Sequence, residues 1–209
     1  MERRDQAELL EDPSLPEEVV AAAYRDLART NRWLGNTRAI LRRLREGPVR
    51  SVLDLGCGQG ALLAEIHQSL GIEVAGFDLR PAPRAPVRIL KGDAVSDPLP
   101  RAEVVLAVLM IHHLSEDQIV ALIRNVSRSA RRFIILDLVR HWLPLWLFRI
   151  FVAPFLSRIN AVDGVTSVRR AYTPGELSNL VQRAVQGTSA RVRHTVAPFY
   201  IRQIVDISW

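Results

Sequence analysis

The stretch Val52-Leu53-Asp54-Leu55-Gly56-Cys57-Gly58-Gln59-Gly60 constrains this chain more than any other. A short apolar run passes straight into glycines at alternate positions, and a helical pattern from Ala61 to Leu70 follows. Glycine lets the backbone turn sharply and come close to a ligand. The start of a helix presents N–H groups with no internal partner. Strand, tight turn and helix in that order open a βαβ unit. The same alternation continues, with strands expected at Val49–Leu55, Ile72–Phe77, Val87–Leu90, Glu103–Leu109 and Arg132–Leu138. A helix fits Ser115–Ser129, with Ser115 as cap and Gln118 at capping-box spacing. Thr173-Pro174 opens another, reaching about Val185. Arg191–Val196 and Phe199–Ile207 read as a final antiparallel pair joined by a tight turn. Near-continuous apolar strands between helices specify an α/β domain of three layers with a mostly parallel sheet.

Residues 1–16 are acidic and end in Pro13 and Pro16, the mark of a short arm. From Pro16 to Arg45 apolar residues recur at helical spacing (Val20, Tyr24, Leu27, then Ile40, Leu41, Leu44), with a break at Gly35-Asn36. The chain thus divides into a helical cap, 1–46, and a main domain, 47–209. Its 209 residues are 48% hydrophobic and 24% charged, enough for one real core and too apolar for a disordered chain. Cys57 is the only cysteine, so no internal disulfide forms and a reducing, cytoplasmic setting is expected. No 18-residue apolar run and no signal-peptide pattern appear. The net charge of +6 is carried by arginine, with Lys91 the only lysine. That excess raises the question of nucleic acid. No Arg/Lys run exceeds two residues and no aromatic platform interleaves with them, so solvated helix faces account for it.

The glycines alone leave the ligand open. Gly56, Gly58 and Ala61 satisfy G-x-G-x-x-G/A, and Asp78 lies twenty residues after Gly58, as a dinucleotide site would have it. Asp54 tips the balance, because a carboxylate beside the turn repels a pyrophosphate and suits a ligand with positive charge. S-adenosylmethionine carries a sulfonium and an ammonium and has no phosphate. The string Asp54-Leu-Gly-Cys-Gly-Gln-Gly closely resembles the first motif of class I S-adenosylmethionine-dependent methyltransferases. The resemblance extends from about Val49 to the C-terminus. Phe77-Asp78-Leu79 is similar to the second-strand end, where the acid holds the ribose hydroxyls. Lys91-Gly92-Asp93-Ala94 is similar to the third, where the Asp meets the adenine amino group and the next residue packs beside it. Val108-Leu109-Met110-Ile111-His112-His113-Leu114 resembles the fourth-strand segment of small-molecule members. The resemblance implies a Rossmann-like, seven-stranded, mostly parallel sheet with an antiparallel last strand. It also implies a cofactor site of Asp54, Gly56, Cys57, Gly58, Asp78, Leu79, Gly92, Asp93, Ala94, Val108 and Leu109. Cys57 reads as a small residue filling the turn. The product would be S-adenosylhomocysteine.

A finer resemblance, to methyltransferases of ubiquinone and menaquinone biosynthesis and relatives beside polyketide-synthase genes, rests on Asp12-Pro13, Asn31 to Gly35, and Asp163-Gly164 through Thr173-Pro174. It implies a small aromatic or polyketide acceptor. An oxygen acceptor must lose a proton, and a free phenol holds its proton to about pH 10, so His113 or His112 is the expected general base. O-methylation is favoured over C-methylation. The adjacent histidines have no second cluster at zinc spacing, and no metal is expected. Residues 140–172 form the substrate-side insertion, where Trp146, Arg169 and Tyr172 are the expected acceptor contacts. The ring-rich segment 142–156 is too short and interrupted to span a bilayer, and its expected role is a lipophilic entrance touching a membrane surface. The other classes weighed are a nucleic-acid methyltransferase, a noncatalytic S-adenosylmethionine-binding protein and an NAD-dependent oxidoreductase. The first lacks a proline motif after Leu109 and the lysines of a ribose-methylating tetrad. Intact acids disfavour the second, and Asp54 the third.

Overall fold

In the computed structural model, which describes residues 1–12 and 14–209, β1 (Ser51–Leu55) is buried and runs into Gly56 and Gly58 at φ 65° and 56°. Pro13, one of the two prolines that close the arm, lies outside the described residues. The turn leads into α3 (Ala61–Leu70). β2 (Glu73–Asp78), β3 (Ile89–Lys91), β4 (Ala102–Val108), β5 (Ala130–Asp137), β6 (Arg191–Val196) and β7 (Gln203–Ser208) join β1 in one sheet. Its order is β3-β2-β1-β4-β5-β7-β6. The first five strands are parallel, and β7 is antiparallel to both β5 and β6. Strand order reverses between β1 and β4, and that reversal opens a crevice at their C-terminal ends.

The alternation of side chains along each strand separates two apolar layers. Leu53, Leu55, Val105, Ala107, Phe133 and Ile135 pack against α4 (Glu116–Val126) and α7 (Pro174–Val185). Val52, Val104, Leu106, Ile134 and Leu136 pack against α2 (Asn36–Leu44) and α3. The expected capping box forms at Ser115 with Gln118, and Thr173, the expected cap of α7, makes a second one with Glu176. α1 (Glu17–Trp33) precedes α2, with the break at Gly35.

Three stretches depart from expectation. β3 covers Ile89–Lys91, shifted from Val87–Leu90. The closing hairpin is not joined by a tight turn. Residues 198–200 form a 3-10 turn, with Phe199 at φ 59°, so Phe199 stands outside β7. Finally, α5 (Trp142–Phe151) and a 3-10 turn at Ala153–Phe155 are followed by a further helix, α6 (Arg158–Arg170), where the sequence suggested only a connecting stretch. Its β-branched residues and Gly164 give it little helical preference. Packing supplies the rest. Gly164 lies against the Phe148 ring of α5, and a Cβ there would sit 2.2 Å from Phe148 Cζ.

Gly164→Val should therefore force α5 away from α6. Overpacking of this kind costs about 1–3 kcal/mol, read as a lower urea midpoint. Adding Phe148→Leu should recover part of the loss.

Candidate active site

Two carboxylates face the crevice at the end of β1 and β2. Asp54 is 3% exposed, and its Oδ1 has no hydrogen-bond partner among the described residues. Burial and the charge of Asp78 push its pKa well above the usual range. Asp78 accepts from the Gly58 N–H at 2.8 Å through Oδ2 and from the Arg80 N–H at 2.8 Å through Oδ1, so it ties the glycine turn to the end of β2. A buried acid with an unpaired oxygen, beside a second acid, is a cation receptor, because each carboxylate lowers the cost of holding positive charge. Cys57 turns inward against Gly76, and burial pushes its thiol pKa up, which leaves it a packing residue. Leu79 is exposed at the rim. Asp93 accepts from Val95 N–H at 2.9 Å and from the Ser96 hydroxyl at 3.0 Å, shaping the loop that carries buried Ala94. Gly92 lets the Phe77 ring lie close beneath it.

The floor of the crevice follows β4. Val108 ends the strand, and Leu109 sits at φ 54°, left-handed and costly for a branched side chain. Met110 then packs on Gly56. From above, Tyr24 of α1 packs on Gly58, where a Cβ would meet its Cε1 at 2.6 Å. The cap therefore touches the glycine turn through Tyr24. Trp33 at the end of α1 is 63% exposed, and Asn31 accepts from the Asn36 side-chain amide.

Beyond Leu109, Ile111–His113 form a 3-10 turn. Asp137 at the end of β5 clamps it: Oδ1 accepts from His112 Nδ1 at 2.7 Å and Oδ2 from the His112 N–H at 3.1 Å. The acidic arm closes over the pair. Glu8 Oε1 is 3.5 Å from His112 Nε2, and Glu11 Oε1 accepts from His113 Nδ1 at 2.7 Å. α6 grips the arm along one helical stripe. Asp163 accepts the Leu9 and Leu10 N–H groups, Ser167 donates to Glu8 at 2.6 Å, and Arg170 donates to Glu11 at 2.6 Å. Arg3 bonds the carbonyls of Arg170, His112 and Leu114 and lies over the Tyr172 ring.

These contacts drive the two histidines apart. Burial alone would lower His112, but Asp137 and Glu8 outweigh it and raise its pKa to about 9. Burial and the neighbouring His112 charge hold His113 below its usual value, against the pull of Glu8 and Glu11. Burial raises Glu8, yet both imidazoles and Ser167 bring it down to about 2. Near neutral pH His112 is an imidazolium and His113 a neutral base. A carboxylate only accepts, so His113 carries its proton on Nδ1 and keeps the Nε2 lone pair. Glu8 Oε1 and a ring nitrogen of each histidine also lie within 4.8 Å of one another, close enough to hold a metal ion among the described residues. An ion there would have to displace the His112 proton, which Asp137 and Glu8 retain.

The expected acceptor contacts are scattered. Trp146 is 53% exposed on the outer face of α5. Arg169 is partly buried, and its carbonyl accepts from Arg4 N–H. Tyr172 is buried and donates its hydroxyl to the Leu114 carbonyl at 2.7 Å, so it supports the histidine turn from behind. Glu8, Glu11, Asp137 and Arg170 were not visible as site residues in the sequence. The one local signal was the acid pair Glu8 and Glu11, three apart in an arm that otherwise had no task.

Residues 52–132 match a family model described as a methyltransferase domain. The match spans the chain from β1 into β5. No curated protein sequence matches this chain. Its fold is shared with solved structures. The plantazolicin methyltransferase BamL, in complex with a triazolic desmethylPZN analog and SAH, is 14% identical with a TM-score of 0.72, over 93% of this chain and 91% of that one. For BpumL in complex with SAH the values are 15%, 0.68, 94% and 91%. Human N-acetylserotonin methyltransferase, in complex with SAM, is 19% identical with a TM-score of 0.63, over 98% of this chain and 63% of its own. The orphaned Asp54 oxygen and the paired acids at the glycine turn fit the cationic groups of S-adenosylmethionine, the cofactor expected from the sequence.

Asp78→Ala should raise the S-adenosylmethionine Kd at least tenfold in calorimetry, since a charge-assisted hydrogen bond lost is worth about 1.5–3 kcal/mol. The raised His112 pKa has a consequence for stability. Its contribution is complete below the unfolded value near 6.5 and fades as pH climbs through about 9. Tm should therefore fall over that interval, and His112→Asn should remove that part of the fall.

Proposed function

We propose that this methyltransferase moves a methyl group from S-adenosylmethionine to a hydroxyl of a small, lipophilic acceptor of phenolic, polyketide or quinol type. The observation that carries the reading is the His112–His113 pair, one ring held charged and the other held neutral, at the end of β4 beside the cofactor crevice. When bound, the cofactor supplies the methyl group on a sulfonium that needs no further activation. The protein's task is to hold both partners in line, exclude water and take a proton.

His113 Nε2 removes the acceptor proton, and Glu11, bonded to Nδ1, fixes the ring and stabilises the charge it gains. Arg170 keeps Glu11 ionised and in place. His112, already charged, favours the oxyanion formed nearby. Asp54 faces the methionyl ammonium, Asp78 holds the ribose hydroxyls, and Asp93 with Ala94 receives the adenine. Gly56 and Gly58 give the methionyl part room, and Leu79, Gly92, Val108 and Leu109 line the remaining walls. Arg169 and Tyr172 act on the acceptor side by supporting the arm and the Leu114 turn. Trp146 and its segment 142–156 bring the enzyme to a membrane surface where such an acceptor dissolves. Support for a small acceptor comes also from the neighbouring folds, among them a mitomycin 7-O-methyltransferase, 18% identical with a TM-score of 0.54.

His113→Asn should lower kcat for a phenolic acceptor by about 10²–10⁴, the usual worth of general-base catalysis, and leave the S-adenosylmethionine Kd unchanged. In the native enzyme kcat/KM should fall on acidification only below about pH 6.5, because the His113 pKa is depressed. Glu11→Gln removes a group that raises that pKa, so the acid limb should move lower still. Dialysis against EDTA should leave kcat unaltered. A loss restored by a divalent ion would mean that Glu8, His112 and His113 hold a metal.

A further inference from the structure

Two separate regions of the chain build one ring-rich face. α5 turns Pro144, Leu145 and Phe148 inward, the last against Gly164 of α6. Its opposite stripe, Trp142, Trp146, Arg149 and Ile150, faces out. Phe151, the last residue of α5, and Phe155 in the turn beyond it extend that stripe, and Phe155 is 72% exposed. Beside it stands the 198–200 turn. Phe199 and Tyr200 both lie in the left-handed region, at φ 59° and 57°, and Phe199 is 65% exposed. The Tyr200 ring stacks on His141 at 4.4 Å, fixing this turn at the start of α5. A strained turn thus presents a large ring to solvent, where packing returns nothing for it.

The two stretches that supply these rings carry charges of one sign. No Asp or Glu occurs between Asp137 and Asp163, or between Glu176 and Asp206, the two stretches that supply the face. Arg149 and Arg158 are exposed within the first. From this we infer that the face is a docking surface for an anionic lipid bilayer, with the rings seated at the headgroup level and both arginines on lipid phosphates. A second copy of the chain fits poorly, because a two-fold contact would set these arginines against each other with no acid between them. α5, ten residues and about 15 Å long, lies on such a surface and cannot cross it. This inference deepens the reading of a lipophilic acceptor by naming the surface that presents it. It does not depend on the acceptor, because binding is measured with neither acceptor nor cofactor present.

The test is flotation of the full chain with vesicles of phosphatidylcholine alone or mixed with phosphatidylglycerol. The protein should float with the mixed vesicles, and binding should exceed that to phosphatidylcholine by roughly twentyfold, about fivefold for each arginine. Phe155→Ser with Phe199→Ser should abolish flotation while cofactor affinity and Tm stay unchanged. Arg149→Ala with Arg158→Ala should remove the preference for the anionic lipid. No flotation with mixed vesicles, or flotation indifferent to the phenylalanine changes, overturns the inference. So does a dimer in light scattering that the phenylalanine changes dissolve, which would assign the face to a second copy. Loss of methyl transfer with flotation intact would count against the acceptor reading alone.

Discussion

The carboxylate of Asp137 is the fixed point on which this molecule's chemistry hangs. It is 1% exposed at the end of β5 and accepts from the His112 ring, the His112 backbone and the Leu138 backbone. A buried carboxylate must be surrounded by donors, and these three contacts meet that requirement. In doing so they bind the turn after β4 to the neighbouring strand and keep His112 charged. The charge on His112 draws Glu8, and Glu8 brings the arm. The arm in turn delivers Glu11 to His113. One hydrogen-bonded acid thus propagates, through charge, into the placement of residues from the other end of the chain.

The same electrostatic logic divides the cleft into two halves. On the β1 and β2 side, acids without cationic partners wait for a cation. On the β4 and β5 side, acids and imidazoles are already balanced, leaving one neutral nitrogen. The proposed methyl transfer from a sulfonium to a hydroxyl calls for both conditions within one crevice. The sheet supplies that proximity, because the reversal of strand order lies between β1 and β4.

The half proposed for the cofactor could be picked out in the sequence because its residues are local. A strand, a glycine turn and a helix start are adjacent in sequence, and acids at three strand ends declare themselves by position. The seven strands followed from apolar runs for the same reason. The acceptor half was hidden because its contacts join remote residues. Asp163 meets Leu9 and Leu10 across most of the chain, and no periodicity announces such a bond. α6 was hidden for a related reason. Its inward face carries Asp163, Ser167 and Arg170, which read as surface until the arm that covers them is in place. The same ambiguity hid that Arg170, beside Arg169, is the arginine that meets Glu11 of the arm. Phe199 was read into a strand because an aromatic residue suits one, whereas Pro198 and a left-handed backbone turn it out of the sheet.

Leu109 has a bearing on how this protein could change. Its left-handed backbone is one that glycine adopts freely, so a single substitution would relax the end of β4 and add to stability. The leucine side chain at that spot is held in place at a standing thermodynamic cost. A laboratory selection for heat resistance alone would therefore be drawn to position 109, and the survivors would be tougher proteins with a slacker floor beneath the reacting groups.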